Sequence, residues 1–201
     1  GDKISTGSLS DVKGAAIGRE SQAVSTGDIG GSLIQAQGDV KLGKDQRAEQ
    51  YEIAMNWEAK GKPRMRGFDL AKRDLLGLSF ESADLSGANL QEADLSYADL
   101  LDSNFRQAVL IHTNLSNANL GGANLQGADL RGADLRDAKL VGTDLGNANL
   151  SNADLSGAVM MLVLVGGAMY TAGTRWPDSF DPKTRGAILV NDDGHPIKNA
   201  I

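Results

Sequence analysis

Between Ala118 and Leu135 the sequence reads ANLGG-ANLQG-ADLRG-ADL: a small residue, a polar one, a leucine and two turn-forming positions, restated every five residues. Stepping by five in both directions from Leu120 keeps an apolar centre from Leu70 to Tyr170, giving 21 centres without a phase break. All are leucine except Phe80, Phe105, Met160, Val165 and Tyr170. Two residues before each centre between 83 and 158, alanine holds 13 of 16 positions, and the others are Ser103, Thr113 and Thr143. Repetition on this scale has to be read before local secondary structure, because it sets the architecture.

A period of five fits neither an amphipathic helix, with apolar steps of three and four, nor a simple alternating strand. It suits a very short strand followed by a corner. The small residue and the leucine, two apart, point to the same side of an extended segment, and the residue between them points out. The corner positions agree. Of the 20 residues standing two after a centre, from 72 to 167, eight are Gly and five are Asn or Asp, the types that best tolerate a positive φ.

The units Ala83 to Gly87 (ADLSG) and Ala128 to Gly132 (ADLRG) resemble those of the pentapeptide-repeat family, and the resemblance covers about half of the chain. It implies an all-β solenoid: a right-handed quadrilateral β-helix with four repeats per coil and about five coils. At ~4.8 Å per strand layer the rod is ~25 Å long. Each coil then stacks four leucine-class and four small residues in a narrow core, stable only because neighbouring coils adjoin. Phe80 and Phe105 are expected inside that core.

Four segments follow: a Gly-rich, β-prone extension (1–43), a helical cap with a basic linker (44–67), the repeats (68–170) and a C-terminal cap or tail (171–201). In the extension, runs such as Val12 to Ile17, Ser32 to Ile34 and Val40 to Leu42 alternate with glycines. Gly14 to Ala23 resembles, in a single copy, a repeat of the β-roll heads of trimeric adhesins. Asp45 is expected to cap a helix running to about Ala59, with Ala48, Tyr51, Met55 and Ala59 on one face and Ile53 and Trp57 as a second apolar pair. Gly61 and Pro63 end it. Trp176 and Phe180, in the stretch Gly173 to Pro182 with its two prolines, are expected to cover the far end, and Ala187 to Val190 reads as a strand entering a turn at Asn191 to Gly194.

No catalytic constellation is visible, and no enzyme activity, cofactor or metal is expected. The chain has no cysteine, and its two histidines, His112 and His195, lack any ligand spacing. His112 falls on a corner. Asp192-Asp193-Gly194 lacks the alternating acids of a calcium loop. No signal peptide is visible at Gly1, no run approaches the roughly 18 apolar residues of a membrane span, and the compartment is left open.

Charge and patterning point to surfaces instead. Residues 60–67 carry Lys60, Lys62, Arg64 and Arg66 without an acid, whereas 68–170 is net −7. An acidic body disfavours nucleic acid as a partner. With residues 20 apart stacked on one wall, Asp74, Asp94, Asn114, Asp134 and Asp154 form an outward column. That column is a cation site, an imitation of DNA phosphates, or a solubilising face whose carboxylates bond turn backbone. In the same register Leu101, Val141 and Met161 share another outward column, and Val159, Leu162 and Leu164 also point out, so the last coil has an apolar exterior of the kind that marks interfaces. The reading is a non-catalytic structural or interaction scaffold that self-associates as an oligomer or filament, with a further protein partner possible. The alternative, from the family resemblance, is an acidic DNA-mimicking inhibitor of a type II topoisomerase, against which Arg106, Arg131, Arg136 and Lys139 break the acidic field.

Overall fold

The computed structural model describes residues 44–62 and 64–197, so the expected extension over 1–43 lies outside the described residues. Helix α1 (Lys44–Met55) is followed by a solenoid in which the outward residue of each repeat bridges, in parallel, the residue 20 positions on, from Asp69 with Asn89 to Asn149 with Met169. Twenty residues divided into repeats of five give four walls. Wall A is centred on Leu70, Leu90, Leu110, Leu130, Leu150 and Tyr170; wall B on Leu75, Leu95, Leu115, Leu135 and Leu155; wall C on Phe80, Leu100, Leu120, Leu140 and Met160. Wall D is centred on Met65, Leu85, Phe105, Leu125, Leu145 and Val165. Every one of these centres is buried, as is every residue two before a centre from Ala83 to Ala168.

One repeat shows the bonding that recurs throughout. Leu120 N–H donates to Lys139 O (2.8 Å) and Gly122 N–H to Val141 O (2.9 Å) in the following coil, while Asn119 N–H reaches back to Ala98 O (2.9 Å). Ala123 N–H closes the corner onto Leu120 O (3.0 Å). The three exceptions to alanine satisfy their own hydroxyls: Thr113 and Thr143 donate to Leu90 O and Leu120 O (both 2.7 Å) and Ser103 to Leu100 O (2.6 Å). A buried hydroxyl left unbonded would cost more than the alanine it replaces.

All 20 corner positions from Lys72 to Gly167 have positive φ, including those held by Lys72, Ser82, Glu92, Tyr97, Gln107, His112 and Leu162. The corner conformation is therefore imposed by the ladder on both sides of it, and glycine is the easiest occupant rather than a requirement.

The solenoid begins one repeat earlier than the sequence reading placed it. Met65 is fully buried and its N–H donates to Asp84 O (2.9 Å), and Phe68 takes the position of the small residue. A methionine in place of leucine, with no alanine two positions before it, hid that repeat. The helix also differs. It ends at Met55 and is followed by turns to Gly61, with Lys62 N–H bonded to Trp57 O (2.9 Å). Asp45 lies inside its first turn. The buried face is Gln50, Ile53, Ala54 and Trp57, whereas Ala48, Met55 and Ala59 are exposed and Tyr51 is half-buried. The reason is Phe80: the Trp57 ring meets it edge-on with centroids 5.8 Å apart, which puts the buried face about 150° round the helix from the expected stripe.

Beyond Tyr170 the five-residue phase ends. Arg175 pairs with Asp154, 21 residues on rather than 20, and β1 (Met169–Tyr170) pairs in parallel with β2 (Ile188–Leu189). Thr171 and Thr174 absorb the slip: their hydroxyls accept Asn152 N–H at 3.1 and 3.2 Å, and Thr174 Oγ1 donates to Leu150 O (2.8 Å). Trp176 packs edge-on to Tyr170 (5.6 Å) and stacks on Phe180 (5.1 Å), over the open end of the core.

Candidate interaction surface

The outward Asp or Asn of each repeat is a turn residue before it is anything else. Its Oδ1 accepts the N–H two residues on, as from Asp94 to Ser96 (2.9 Å) and from Asp154 to Ser156 (3.0 Å). In several places where an Asn follows an Asp in the next coil it bonds across: Asn114 Nδ2 donates to Asp94 Oδ1 (3.0 Å), and Asn104 to Asp84 and Asn119 to Asp99 do the same.

These bonds dismantle the wall B column as a field of free charge. Asp94 is shared between Ser96 and Asn114. Asp134 accepts Arg136 Nε (2.8 Å) and Nη2 (2.6 Å), and Asp154 meets Arg175 Nη1 at 3.3 Å. The Arg136 hydrogen bonds hold the Asp134 carboxyl below the usual carboxylate range. At Asp154 burial pushes up most strongly, yet Ser156 and Arg175 together bring it down. The same two-residue spacing joins Arg131 to Asp129, an Asp-x-Arg signal legible in the sequence that the charge count alone did not exploit. Among the described residues no group of three or more His, Cys, Asp or Glu is placed to hold a metal ion.

The Asp134–Arg136 pair gives a pH-dependent expectation. A carboxyl whose folded value lies below its unfolded one stabilises the fold above the usual carboxylate range, near pH 4, and loses that contribution as pH falls through the folded value. Asp134→Asn should therefore cost at most about 1 kcal/mol at neutral pH, the pair being largely solvated. The difference should close as pH falls through the folded value of Asp134, when urea midpoints of the two proteins are compared across the acid range.

The basic stretch is only partly available. Lys62 lies over the Trp57 ring (5.1 Å) and near Glu58 (3.8 Å), and Arg66 Nε bonds Ser86 Oγ (3.1 Å) beside Asp84. Lys60 and Arg64 are exposed. Lys62 and Arg64 face Glu81 and Asp84 across a shallow cleft at the first coil.

The apolar residues do converge. Val159, Met161, Leu162 and Leu164 are all exposed at the meeting of walls C and D in the last coil, Met161 to 65% and Leu162 to 76%, and Val141 sits one coil below Met161. Leu101 is not brought into this patch: three coils below Met161, it is half-buried, its Cδ1 lying over Gly121. Leu76 and Tyr97, exposed elsewhere, were not singled out by the sequence, since each falls on a corner where no column formed. Leu162 is the notable member. It holds a left-handed φ of 58° that costs a leucine roughly 1–2 kcal/mol, and its side chain stays exposed among the described residues.

Residues 65–163 match the family model for pentapeptide repeats, in eight copies over 65–100, 74–110, 88–127 and 128–163. The chain belongs to the pentapeptide-repeat family. That membership gives the four-walled solenoid its hand, since pentapeptide-repeat proteins fold as right-handed quadrilateral β-helices. Among solved structures, a pentapeptide repeat protein from Nostoc Pcc 7120 is similar, with 28% identity over 71% of this chain and 94% of that one, at a TM-score of 0.49. One from the Arabidopsis thaliana thylakoid lumen shares 31% identity over 54% of this chain and 68% of its own, at 0.38. Another, from Cyanothece 51142, shares 29% over 54% and 90%, at 0.37. No curated protein matches the pentapeptide-repeat chain described here. The family is generally non-catalytic and points to no enzyme class. No helix of the described residues is long and apolar enough to cross a membrane.

Proposed function

We propose that this pentapeptide-repeat chain is a non-catalytic structural and interaction scaffold that self-associates, as an oligomer or filament, through its ends and its apolar C-terminal coils. The observation that carries the reading is the exposed patch of Val159, Met161, Leu162 and Leu164, with Val141 beside it. In the earlier coils the positions equivalent to Val159, Leu162 and Leu164 are Ser, Asp, Asn, Lys or Gly, and only the Met161 column carries other apolar residues, Leu101 and Val141, so the fold itself makes no demand for an apolar cluster there. Four large side chains left in water at one end of a rod are a surface awaiting cover.

In this reading the rod of about five coils is closed at its start by α1. Gln50 Oε1 accepts Asp69 N–H (2.9 Å) and Tyr51 donates to Asp74 O (3.0 Å), which satisfies strand-edge groups on walls A and B. The alternative, a DNA-mimicking inhibitor of a type II topoisomerase, finds less support, because the acidic column is divided by Asn114 and engaged by Arg136 and Arg175.

The test is a double substitution on the outward face, Met161→Lys with Leu164→Lys. Both side chains are exposed, so the melting temperature of the solenoid should change little while the mass in solution falls. An unchanged mass would remove the patch from the account, and inhibition of DNA supercoiling by the parent protein, relieved by Asp94→Asn with Asp134→Asn, would favour the alternative.

A further inference from the structure

The last coil is continued on two walls and left open on two. On wall B, Leu155 N–H donates to Arg175 O (2.7 Å) and Arg175 N–H to Ala153 O (3.0 Å). On wall A, Ile188 N–H donates to Ala168 O (2.7 Å) and Val190 N–H to Tyr170 O (2.8 Å), while Gly167 N–H reaches Gly186 O (2.9 Å). By the pattern of every earlier coil, walls C and D should next offer Met160, Leu162 and Val165 N–H as donors and the Ala158 and Val163 carbonyls as acceptors. Among the described residues none of these five groups has a partner. The chain from Trp176 onward does not follow those walls. Phe180 N–H bonds Pro177 O (2.9 Å) and Ala187 N–H bonds Pro182 O (3.0 Å), and Trp176 packs on Tyr170, so this segment cuts across the end of the core and rejoins at Gly186.

What remains is a step one strand deep and two walls wide, running from Ala158 to Val165. Its outer face is the patch of Val159, Met161, Leu162 and Leu164. Exposed edges in other proteins are blunted by proline, lysine or a bulge; this stretch, AVMMLVLV, has none. Unpaired ladder groups and an apolar face along the same residues are what an added strand requires.

We propose that this step is filled by the Gly-rich segment 1–43 of a second copy, added as strands that continue walls C and D. The inference rests on the self-association reading and gives it a specific contact. Three features select this occupant. The runs in 1–43 (Val12 to Ile17, Ala23 to Ser25, Ser32 to Ile34, Val40 to Leu42) are short enough to cover one wall each, with glycines available for the left-handed corner between them. The segment joins the rod at Lys44, where α1 lies against the first coil, at the end opposite the step. A neighbour stacked head to tail presents that segment directly at the step, whereas the chain's own copy must first return along the ~25 Å rod. Coil-on-coil stacking is not an equal competitor, because α1 covers walls A and B at one end and the tail covers the same two walls at the other.

The full-length protein tests this, helped by its lack of cysteine. Chains carrying Val159→Cys are mixed, under oxidising conditions, with differently tagged chains carrying one cysteine at Ala16, Ser25, Ile34 or Leu42. Hydrogen exchange is followed at the Met160, Leu162 and Val165 amides, with the Met161→Lys, Leu164→Lys protein as reference. The expected result is a disulfide between unlike chains from at least one position, and exchange at those amides slower by about tenfold or more than in the reference. Fast exchange in a protein heavier than one chain overturns the proposal and leaves self-association standing through another contact. Chains carrying both Val159→Cys and a second cysteine that close on themselves in dilute solution also overturn it, by placing the segment on its own rod. Fast exchange in a monomer overturns both.

Discussion

Leu120→Asp is expected to leave no folded solenoid at room temperature. Leu120 is fully buried on wall C, between Leu100 and Leu140 in the coils on either side, and the buried Thr143 hydroxyl that reaches its backbone is already committed to Leu120 O (2.7 Å). The substitution removes roughly 1.5–3 kcal/mol of leucine burial. It also places a carboxylate where no cation can meet it, a penalty of several kcal/mol unless the group takes up a proton. Together these are comparable to the whole stability of a typical domain, about 5–15 kcal/mol. Because each coil is held only by its neighbours, damage in a middle coil disconnects the two halves. Asn119→Ser, one residue away and pointing outward, loses the bond from Nδ2 to Asp99 (2.9 Å) but keeps a side-chain oxygen for the turn, so it should cost less than about 1 kcal/mol. Thermal melting of the pair checks the register directly. Equal effects of the two would mean that the inward and outward positions are misassigned.

Phe105→Ala is the second large effect, expected at about 3–5 kcal/mol. Phe105 occupies a leucine position on wall D and is fully buried. The walls cannot close on the void, because Leu85 and Leu125, in line with it, are fixed by the ladder, as in Phe105 N–H to Asn124 O (2.7 Å). Phe105→Leu restores the residue that most other repeats use, so it should recover most of the loss and sit within about 1.5 kcal/mol of the parent. Urea unfolding of the three proteins measures both steps. A Phe105→Ala protein as stable as Phe105→Leu would show that the core relaxes, contrary to the rigid stacking argued here.

The core was legible because inward geometry leaves little choice: Leu at each centre and Ala two before it fill a fixed width, and a five-residue step read against Leu120 finds every centre from Leu70 to Tyr170. Met65 was missed because at the first coil there is no preceding coil to impose that width, and larger residues such as Met65 and Phe68 fit. The helix was legible as a helix but not by face. Its contact is made by Trp57 on Phe80, a tertiary pairing that outweighs the apolar stripe of Ala48, Tyr51 and Met55. For the surface the sequence was a guide to position and not to state. Phase alone places Met161, Leu162 and Leu164 outward, yet it does not show that Leu101 folds over Gly121, or that Asp134 and Asp154 are held by Arg136 and Arg175. The open edge on walls C and D has no counterpart in the sequence pattern. It arises because residues after Arg175 take a shorter path than five-residue steps would, bringing Ile188 beside Met169.

The measurement that bears most directly on the scaffold reading is the mass of the full-length protein in solution, by light scattering, across a micromolar concentration series. The account predicts a mass above that of the 21.1 kDa chain, rising with concentration if the contact propagates and holding at a fixed multiple if it closes. A mass of one chain throughout the series would contradict it.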